Sequence, residues 1–261
     1  MASNANRLAD GIAFADAMRA GEPIATGWSA IPAPMNASAM ARGGFRAVCV
    51  DVQHGYHSED SMMSALQGVH QADGSPGLRI PVGRFDLASR ALDAGAQFVI
   101  APMINTVEDA KALVEATKYP PVGGRSWGPS VALDMWGADM PTYLAEANRL
   151  TLSIAMIETV TAQSNLEDIL AVDGLDGVFV GPSDLSITLS RGSRIEAGAA
   201  HVLDAAKAIG QAARDAGKIA GVYAFDVDKA CAFVDMGFSF VAVGSDLIAL
   251  KAAAAKGHAI G

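Results

Sequence analysis

The sequence predicts an α/β protein folded as a closed (β/α)8 barrel, or TIM barrel, in a single domain over residues 1–261. Short apolar stretches alternate with stretches of helical apolar spacing along the whole chain, which is the pattern of repeated βα units and a parallel sheet. Eight such apolar stretches can be counted, and 261 residues suit one barrel of this type. The active site of such a barrel lies at the carboxyl ends of its strands.

The expected elements follow one another in a regular order. Strands are predicted at 25–31, 45–51, 77–81, 98–101, 153–159, from 177 onward, 218–223 and 238–243. Helices are predicted at 7–20, after an N-cap at Ser58, at 86–94, 107–117 and 162–172, and after Asp226. The segment 119–141 is rich in proline and glycine, and it is expected to form an irregular, functional loop.

Composition excludes several classes of partner. A net charge of -9 without clustered Lys and Arg argues against nucleic acid. No apolar run approaches the ~20 residues that span a membrane, and no targeting segment is recognisable, so we expect a cytoplasmic protein without a membrane partner. Cys49 and Cys231 lie in apolar segments, where we expect buried thiols and no disulfide.

Two acids occupy matching positions in a predicted strand, helix, strand unit over residues 154–186. Glu158 follows one apolar strand and Asp184 follows the next, so both lie at strand ends of a parallel sheet. A lone acid in such a place is more often a helix N-cap. The matched pair instead favours an open site for a hard divalent cation such as Mg or Mn.

Other strand ends carry residues suited to proton transfer and anion binding. Asp51 precedes His54 by three positions, and a carboxylate near an imidazole suits general base catalysis. His54 can equally satisfy a loop carbonyl. Arg79 is a cation within an apolar strand, and it requires a carboxylate or enolate partner, or else an internal ion pair with an acid. Trp28 and Tyr223 also lie near the carboxyl ends of predicted strands.

Two turns near strand ends are candidate anion sites. The turn at Gly181, Pro182 and Ser183 precedes a helix, so its backbone N–H groups can hold a substrate carboxylate, although such turns also serve as connectors. The turn at 244–246 can bind a phosphate or simply open the last helix. The remaining histidines, at 57, 70, 201 and 258, are expected in helices or the tail, away from the strand ends.

Taken together, these motifs resemble the HpcH/HpaI aldolase family, which comprises metal-dependent class II pyruvate aldolases of the phosphoenolpyruvate-binding barrel superfamily. The resemblance runs from Trp28 to Leu250. Its carriers are DVQHG at 51–55, RALDAGA at 90–96, PMINT at 102–106, IET at 157–159, VGPSDLS at 180–186 and VAVGSD at 241–246.

The resemblance implies a reversible retro-aldol cleavage of a 4-hydroxy-2-oxo acid to an aldehyde and pyruvate, or a close analogue such as hydroxypyruvate. It implies that Glu158 and Asp184 bind Mg, Mn or Co, that Arg79 stabilises the enolate, and that the Asp51 and His54 pair handles the proton. The expected substrate-binding residues are Trp28, Gln53, Gly181, Pro182 and Ser183.

The resemblance also implies a homo-oligomer, a trimer or hexamer, with exchanged C-terminal helices. The segment 120–141, with Arg125, Trp127 and Trp136, is expected to shape the aldehyde pocket, alone or together with a neighbouring subunit. Three residues depart from the common family pattern and leave the substrate open: Gln53, Met156 and Ser183. Alternative readings are an acyl-CoA lyase of the same superfamily, a catalytically silent barrel that binds a metabolite, and a phosphate-binding isomerase.

Overall fold

Eight parallel strands close into a barrel in which each strand pairs with the next and the eighth pairs with the first. The structure is a computed structural model that describes residues 7–258. The strands are β1 Ile24–Ser29, β2 Ala47–Asp51, β3 Ser75–Arg79, β4 Phe98–Ala101, β5 Leu152–Ile157, β6 Gly177–Val180, β7 Ile219–Ala224 and β8 Phe240–Val243. The predicted (β/α)8 barrel is confirmed.

Helices connect the strands and cover the outside of the barrel. They are α1 Arg7–Arg19, α2 Pro34–Arg42, α3 Glu59–Gln71, α4 Phe85–Asp93, α5 Val107–Thr117, α6 Ser130–Trp136, α7 Met140–Leu150, α8 Val160–Ser164, α9 Leu166–Leu170, α10 Pro182–Leu189, α11 Ala200–Asp215, α12 Val227–Asp235 and α13 Asp246–His258. Within residues 7–258, no helix has the length and apolar character needed to cross a membrane.

Alternate residues of each strand face opposite sides of the barrel wall, as the period of a strand requires. The interior cluster includes Cys49, Ile154, Met156, Phe179 and Phe240, all nearly fully buried. The residues between them join an outer cluster with the helices. At one end of the barrel, Phe14 and Met18 of α1 belong to the interior cluster and close that end.

The segment 119–141 is more regular than its composition suggests. It contains all of α6 and the start of α7, so the expectation of one irregular loop is wrong. Asp139 caps α7 by accepting a hydrogen bond from the Thr142 N–H at 2.8 Å, and Pro141 lies in the first turn. Proline is compatible with that position because an N–H there would have no partner within the helix.

Two smaller expectations are also corrected. The helix predicted at 162–172 is divided into α8 and α9 at Asn165, whose side chain donates to the Asn105 carbonyl at 2.8 Å. Cys231 is exposed on α12, while Cys49 is buried in β2. The apolar residues around Cys231 bury the opposite face of the helix, including Ala230 and Phe233.

Candidate active site

Side chains alternate along each strand, so the spacing that points apolar residues into the barrel interior also places polar residues at the carboxyl end of the barrel. Asp51 and Glu158 lie two residues beyond the interior side chains of Cys49 and Met156. Arg79 pairs directly with Asp51 across β2 and β3. These side chains therefore emerge at one rim, where they line a cavity of about 330 Å³. Its lining also includes Trp28, Ala30, His54, Met156, Phe179, Gly181, Pro182, Ser183, Asp184, Tyr223, Phe225, Ser245, Leu247 and Ile248.

Asp51 and Arg79 form a bidentate ion pair at the rim. The Arg79 Nε and Nη2 atoms donate to the two carboxylate oxygens of Asp51 at 3.0 and 2.6 Å. The guanidinium also lies 5.0 Å from the centre of the Trp28 ring. Burial alone would lower the pKa of Arg79, but its hydrogen bonds to Asp51 and the charge of that carboxylate raise it overall. Arg79 therefore stays charged, and its Nη1 has no hydrogen-bond partner among residues 7–258.

Asp51 holds the backbone of the His54 loop. Besides Arg79, its carboxylate accepts hydrogen bonds from the backbone N–H groups of Gln53 and His54 and from the Trp28 ring N–H. Burial would raise the pKa of Asp51, but the Arg79 hydrogen bonds and charge, with the His54 and Trp28 N–H donors, lower it overall.

The His54 imidazole makes no described hydrogen bond to Asp51, contrary to the expected direct pairing of the two side chains. Both carboxylate oxygens are already occupied by other donors. The imidazole lies instead at the exposed mouth of the cavity.

Glu158 and Asp184 place two further carboxylates in the lining of the cavity. Glu158 is nearly fully buried, and its Oε1 accepts the Met103 backbone N–H at 2.8 Å. Burial, opposed by the Met103 N–H and by the charge of Arg79 but assisted by the charge of Asp184, raises the pKa of Glu158 to about 7. A bound cation would relieve the repulsion between these two carboxylates.

The donor set fits a divalent metal ion with an open coordination sphere. Oxygen ligands from two carboxylates suit Mg or Mn and leave positions for substrate and water. A Cβ atom added to Gly181 would lie 2.3 Å from Oε2 of Glu158, so glycine keeps that oxygen accessible. Among residues 7–258 no cluster of three or more His, Cys, Asp or Glu side chains could form a closed protein site.

The turn after β6 presents backbone donors beside these acids. Gly181 is the N-cap of α10, Pro182 is its first residue, and Asp184 lies in the first turn. The first hydrogen bond of that turn runs from the Leu185 N–H to the Gly181 carbonyl. The N–H groups of Ser183 and Asp184 are consequently free of helix partners, as at every helix start, and both residues line the cavity.

Met103 is a contributor that the sequence pattern does not reveal. It follows β4 and has a φ of 56°, a left-handed conformation that is uncommon for a residue other than glycine. That conformation directs its N–H at Glu158. Backbone strain of this kind concentrates at functional sites. In the sequence, the only indication of this segment was the PMINT motif at 102–106.

A second hydrogen-bond network, which the sequence pattern also does not reveal, supports the cavity wall formed by Ala30 and the start of α13. The Asp246 carboxylate accepts the Ala30 N–H at 2.8 Å and lies 3.3 Å from the Ser29 hydroxyl. That hydroxyl contacts the His57 ring, which in turn contacts Ser61. His57 was expected in a helix, yet it lies in the loop after β2 and is buried there. Burial lowers the pKa of His57, although the charges of Asp246 and Asp51 oppose the shift.

Comparison with known proteins identifies the family. A model of the HpcH/HpaI aldolase/citrate lyase family matches residues 27–253. The chain belongs to this family. A hydroxypyruvate/pyruvate aldolase from Rhizorhabdus wittichii is 36% identical over 234 residues, with 90% of this chain and 92% of that protein covered. A 4-hydroxy-2-oxo-heptane-1,7-dioate aldolase from Klebsiella pneumoniae is 33% identical, covering 90% and 88%.

A solved HpcH/HpaI family structure from Burkholderia cenocepacia J2315 agrees with this barrel. Its TM-score is 0.84 at 27% identity, and the match covers 94% of this chain and 97% of the other. The family resemblance of the motifs is therefore confirmed, and so is the predicted reaction class, a class II aldolase.

Two expectations about this HpcH/HpaI member differ from the geometry. Gln53 does not line the cavity; its Oε1 is buried without a hydrogen-bond partner, and its N–H donates to Asp51. No residue of 120–141 lines the cavity of this chain either, so a part for this segment in the pocket of a neighbouring subunit stays a prediction. Arg125 is buried against Asp93 and Tyr119, and Trp136 packs on His70, because α6 lies against α1 and α4.

Proposed function

We propose that this protein cleaves a 4-hydroxy-2-oxo acid to pyruvate, or hydroxypyruvate, and an aldehyde, with a divalent cation held by Glu158 and Asp184. The observation that carries the proposal is the convergence of three features on one cavity: this acid pair, the Arg79 guanidinium and the free N–H groups of the α10 turn. The names of the relatives support both oxo acids.

Each side chain then has a task that follows from its surroundings. A bound cation would polarise the keto group of the oxo acid. The N–H groups of Ser183 and Asp184 would hold the carboxylate of that acid, as helix N-termini hold anions. Arg79, kept in place by Asp51, would donate from Nη1 to the oxygen that becomes the enolate, and such directed donors stabilise developing charge.

We assign His54 as the base that takes the proton of the 4-hydroxyl group as the C3–C4 bond breaks. Its imidazole is at the cavity mouth, on a loop whose backbone Asp51 holds. Asp51 is then a positioning residue for His54 and Arg79. Trp28 supports both Asp51 and Arg79, because its ring N–H donates to Asp51 and its ring face lies against the Arg79 guanidinium.

Mg, Mn and Co are the candidate cations, and a homo-oligomer, trimeric or hexameric, is the proposed assembly. The oligomer is supported by α13, which has no buried residue in the described chain although it carries Leu250, on the face of the helix away from Ile248. Exposed apolar surface of this kind is typical of protein interfaces. A cytoplasmic location stays a prediction.

The test measures pyruvate release from 4-hydroxy-2-oxo acids with added Mg, Mn or Co and after EDTA treatment. We expect release only with metal, and an aldol addition in the reverse direction. Equal release after EDTA would contradict the metal-dependent reaction. Cleavage only of an acyl-CoA thioester would favour the acyl-CoA lyase alternative, and binding without turnover would favour a silent barrel.

A further inference from the structure

The cavity has two chemically different halves. Strands β2, β3, β5 and β6 supply all its charged residues, namely Asp51, Arg79, Glu158 and Asp184, with His54 at the mouth. The other half lies where β7, β8 and β1 are adjacent. It is lined by Tyr223, Phe225, Leu247 and Ile248, together with Ala30 and Ser245.

That second half has no cation for a second carboxylate. Arg79 is the only Lys or Arg among the cavity-lining residues of the described chain. Two of its nitrogen atoms are occupied by Asp51, and the proposed reaction uses the third at the oxo acid. The segments outside the described range, MASNAN and AIG, contain no Lys or Arg.

The apolar side chains are accessible to a ligand. Phe225 is 43% exposed and Ile248 is 46% exposed. Asp246 fixes this wall, because it accepts the Ala30 and Ile31 N–H groups while it starts the helix that carries Leu247 and Ile248. Covering such a wall with an apolar group is favourable, whereas an unpaired charge there loses hydration.

We infer that the acceptor of this enzyme is a neutral aldehyde with an alkyl or aryl substituent, and that aldehydes carrying a carboxylate are poor partners. The inference rests on the proposed function and adds the class of the second substrate. It separates this chain from its Klebsiella pneumoniae relative, whose named substrate is a 1,7-dioate.

The test compares two aldehydes of equal chain length in aldol addition to pyruvate. Butanal ends in a methyl group and succinic semialdehyde ends in a carboxylate. We expect kcat/KM to be at least about tenfold higher for butanal, since one apolar group commonly gives that discrimination. Deuterium exchange into the methyl group of pyruvate, measured in the same preparation without aldehyde, reports whether the enzyme forms the pyruvate enolate.

Two variants place a cation in the apolar wall. Ile248→Arg and, independently, Phe225→Arg should shift the preference at least about tenfold towards succinic semialdehyde while exchange persists. The matched control is Ile195→Arg, which puts the same charge at a 72% exposed position outside the cavity and should leave the preference unchanged.

The outcomes separate the two proposals. Equal or faster addition to succinic semialdehyde by the unmodified enzyme, with exchange intact, would overturn the inference and spare the proposed function. Absence of exchange with every metal would overturn both. A shift of preference in Ile195→Arg as large as in the cavity variants would also contradict the assigned wall.

Discussion

Arg79 divides its hydrogen bonds between the protein and the cavity. Its Nε and Nη2 atoms bind Asp51, and Nη1 remains for a ligand. Replacing Arg79 with Lys keeps the positive charge but removes the planar fork that permits both contacts at once. We expect kcat/KM for cleavage to fall by about 10²-fold, the usual loss for one directed donor to a developing anion. Steady-state kinetics measures this directly.

The control for that substitution is Arg84→Lys. Arg84 also pairs with acids, Glu59 and Asp86, but it is on the surface and outside the cavity. Exposed ion pairs contribute little to stability, so kinetics should match those of the unmodified enzyme. An Arg79→Lys enzyme with unimpaired kcat/KM would remove the proposed role of Arg79.

Glu158 gives metal binding a definite dependence on pH. Burial and the neighbouring Asp184 charge raise its pKa to about 7, and a protonated carboxyl group must lose its proton before it binds a metal. Affinity for Mg or Mn should therefore increase about tenfold from pH 6 to pH 8, and each bound ion should release close to one proton at pH 6 but almost none at pH 8. Calorimetry in two buffers measures both quantities. Constant affinity over this range would contradict the assignment of Glu158 as a ligand.

At the scale of elements, the turn between β6 and α10 depends on glycine at position 181. A Cβ atom there would meet Oε2 of Glu158 at 2.3 Å, which is too close without movement of the carboxylate. We expect Gly181→Ala to weaken metal binding at least about tenfold, because ligand geometry must be held closely. The control is Gly198→Ala, where a Cβ atom meets nothing within 4 Å. Equal metal affinity in the two variants would refute this role of the turn.

The strands explain how much of the site was predictable. Arg79 is the last residue of one apolar strand, and Glu158 directly follows another. Because side chains alternate along a strand, the sequence alone predicted that both lie at the rim of the barrel interior. Contacts made by the loops could not be predicted from the sequence in this way. The backbone conformation of Met103, the saturation of Asp51 by N–H donors and the burial of His57 all depend on tertiary packing. The prediction of one irregular loop at 119–141 was wrong because the proline and glycine residues of this segment flank regular helices.

For the whole molecule, the acid pair couples metal binding to stability. The folded pKa of Glu158 lies above its ordinary value of 4.5, so the metal-free native state binds this proton more tightly than the unfolded chain does. Its contribution to stability is present at low pH and is lost as pH rises from about 4.5 to about 7. A cation that binds only the native state restores stability.

We accordingly expect the melting temperature at pH 8 to rise by about 5–10 °C when Mg is present at 100 times its dissociation constant. Scanning calorimetry of Glu158→Gln, in which one ligand loses its charge, should show a much smaller rise. An equal rise in both proteins would place the stabilising metal elsewhere.

Metal-assisted formation of a pyruvate enolate is the central claim, and deuterium exchange tests it without any aldehyde. Pyruvate incubated in D₂O with the enzyme and Mg should gain deuterium in its methyl group, as read by mass spectrometry. EDTA, Glu158→Gln and Arg79→Lys should each reduce that rate by at least about 10²-fold. Exchange that continues unchanged after EDTA treatment, or in Glu158→Gln, would contradict the account.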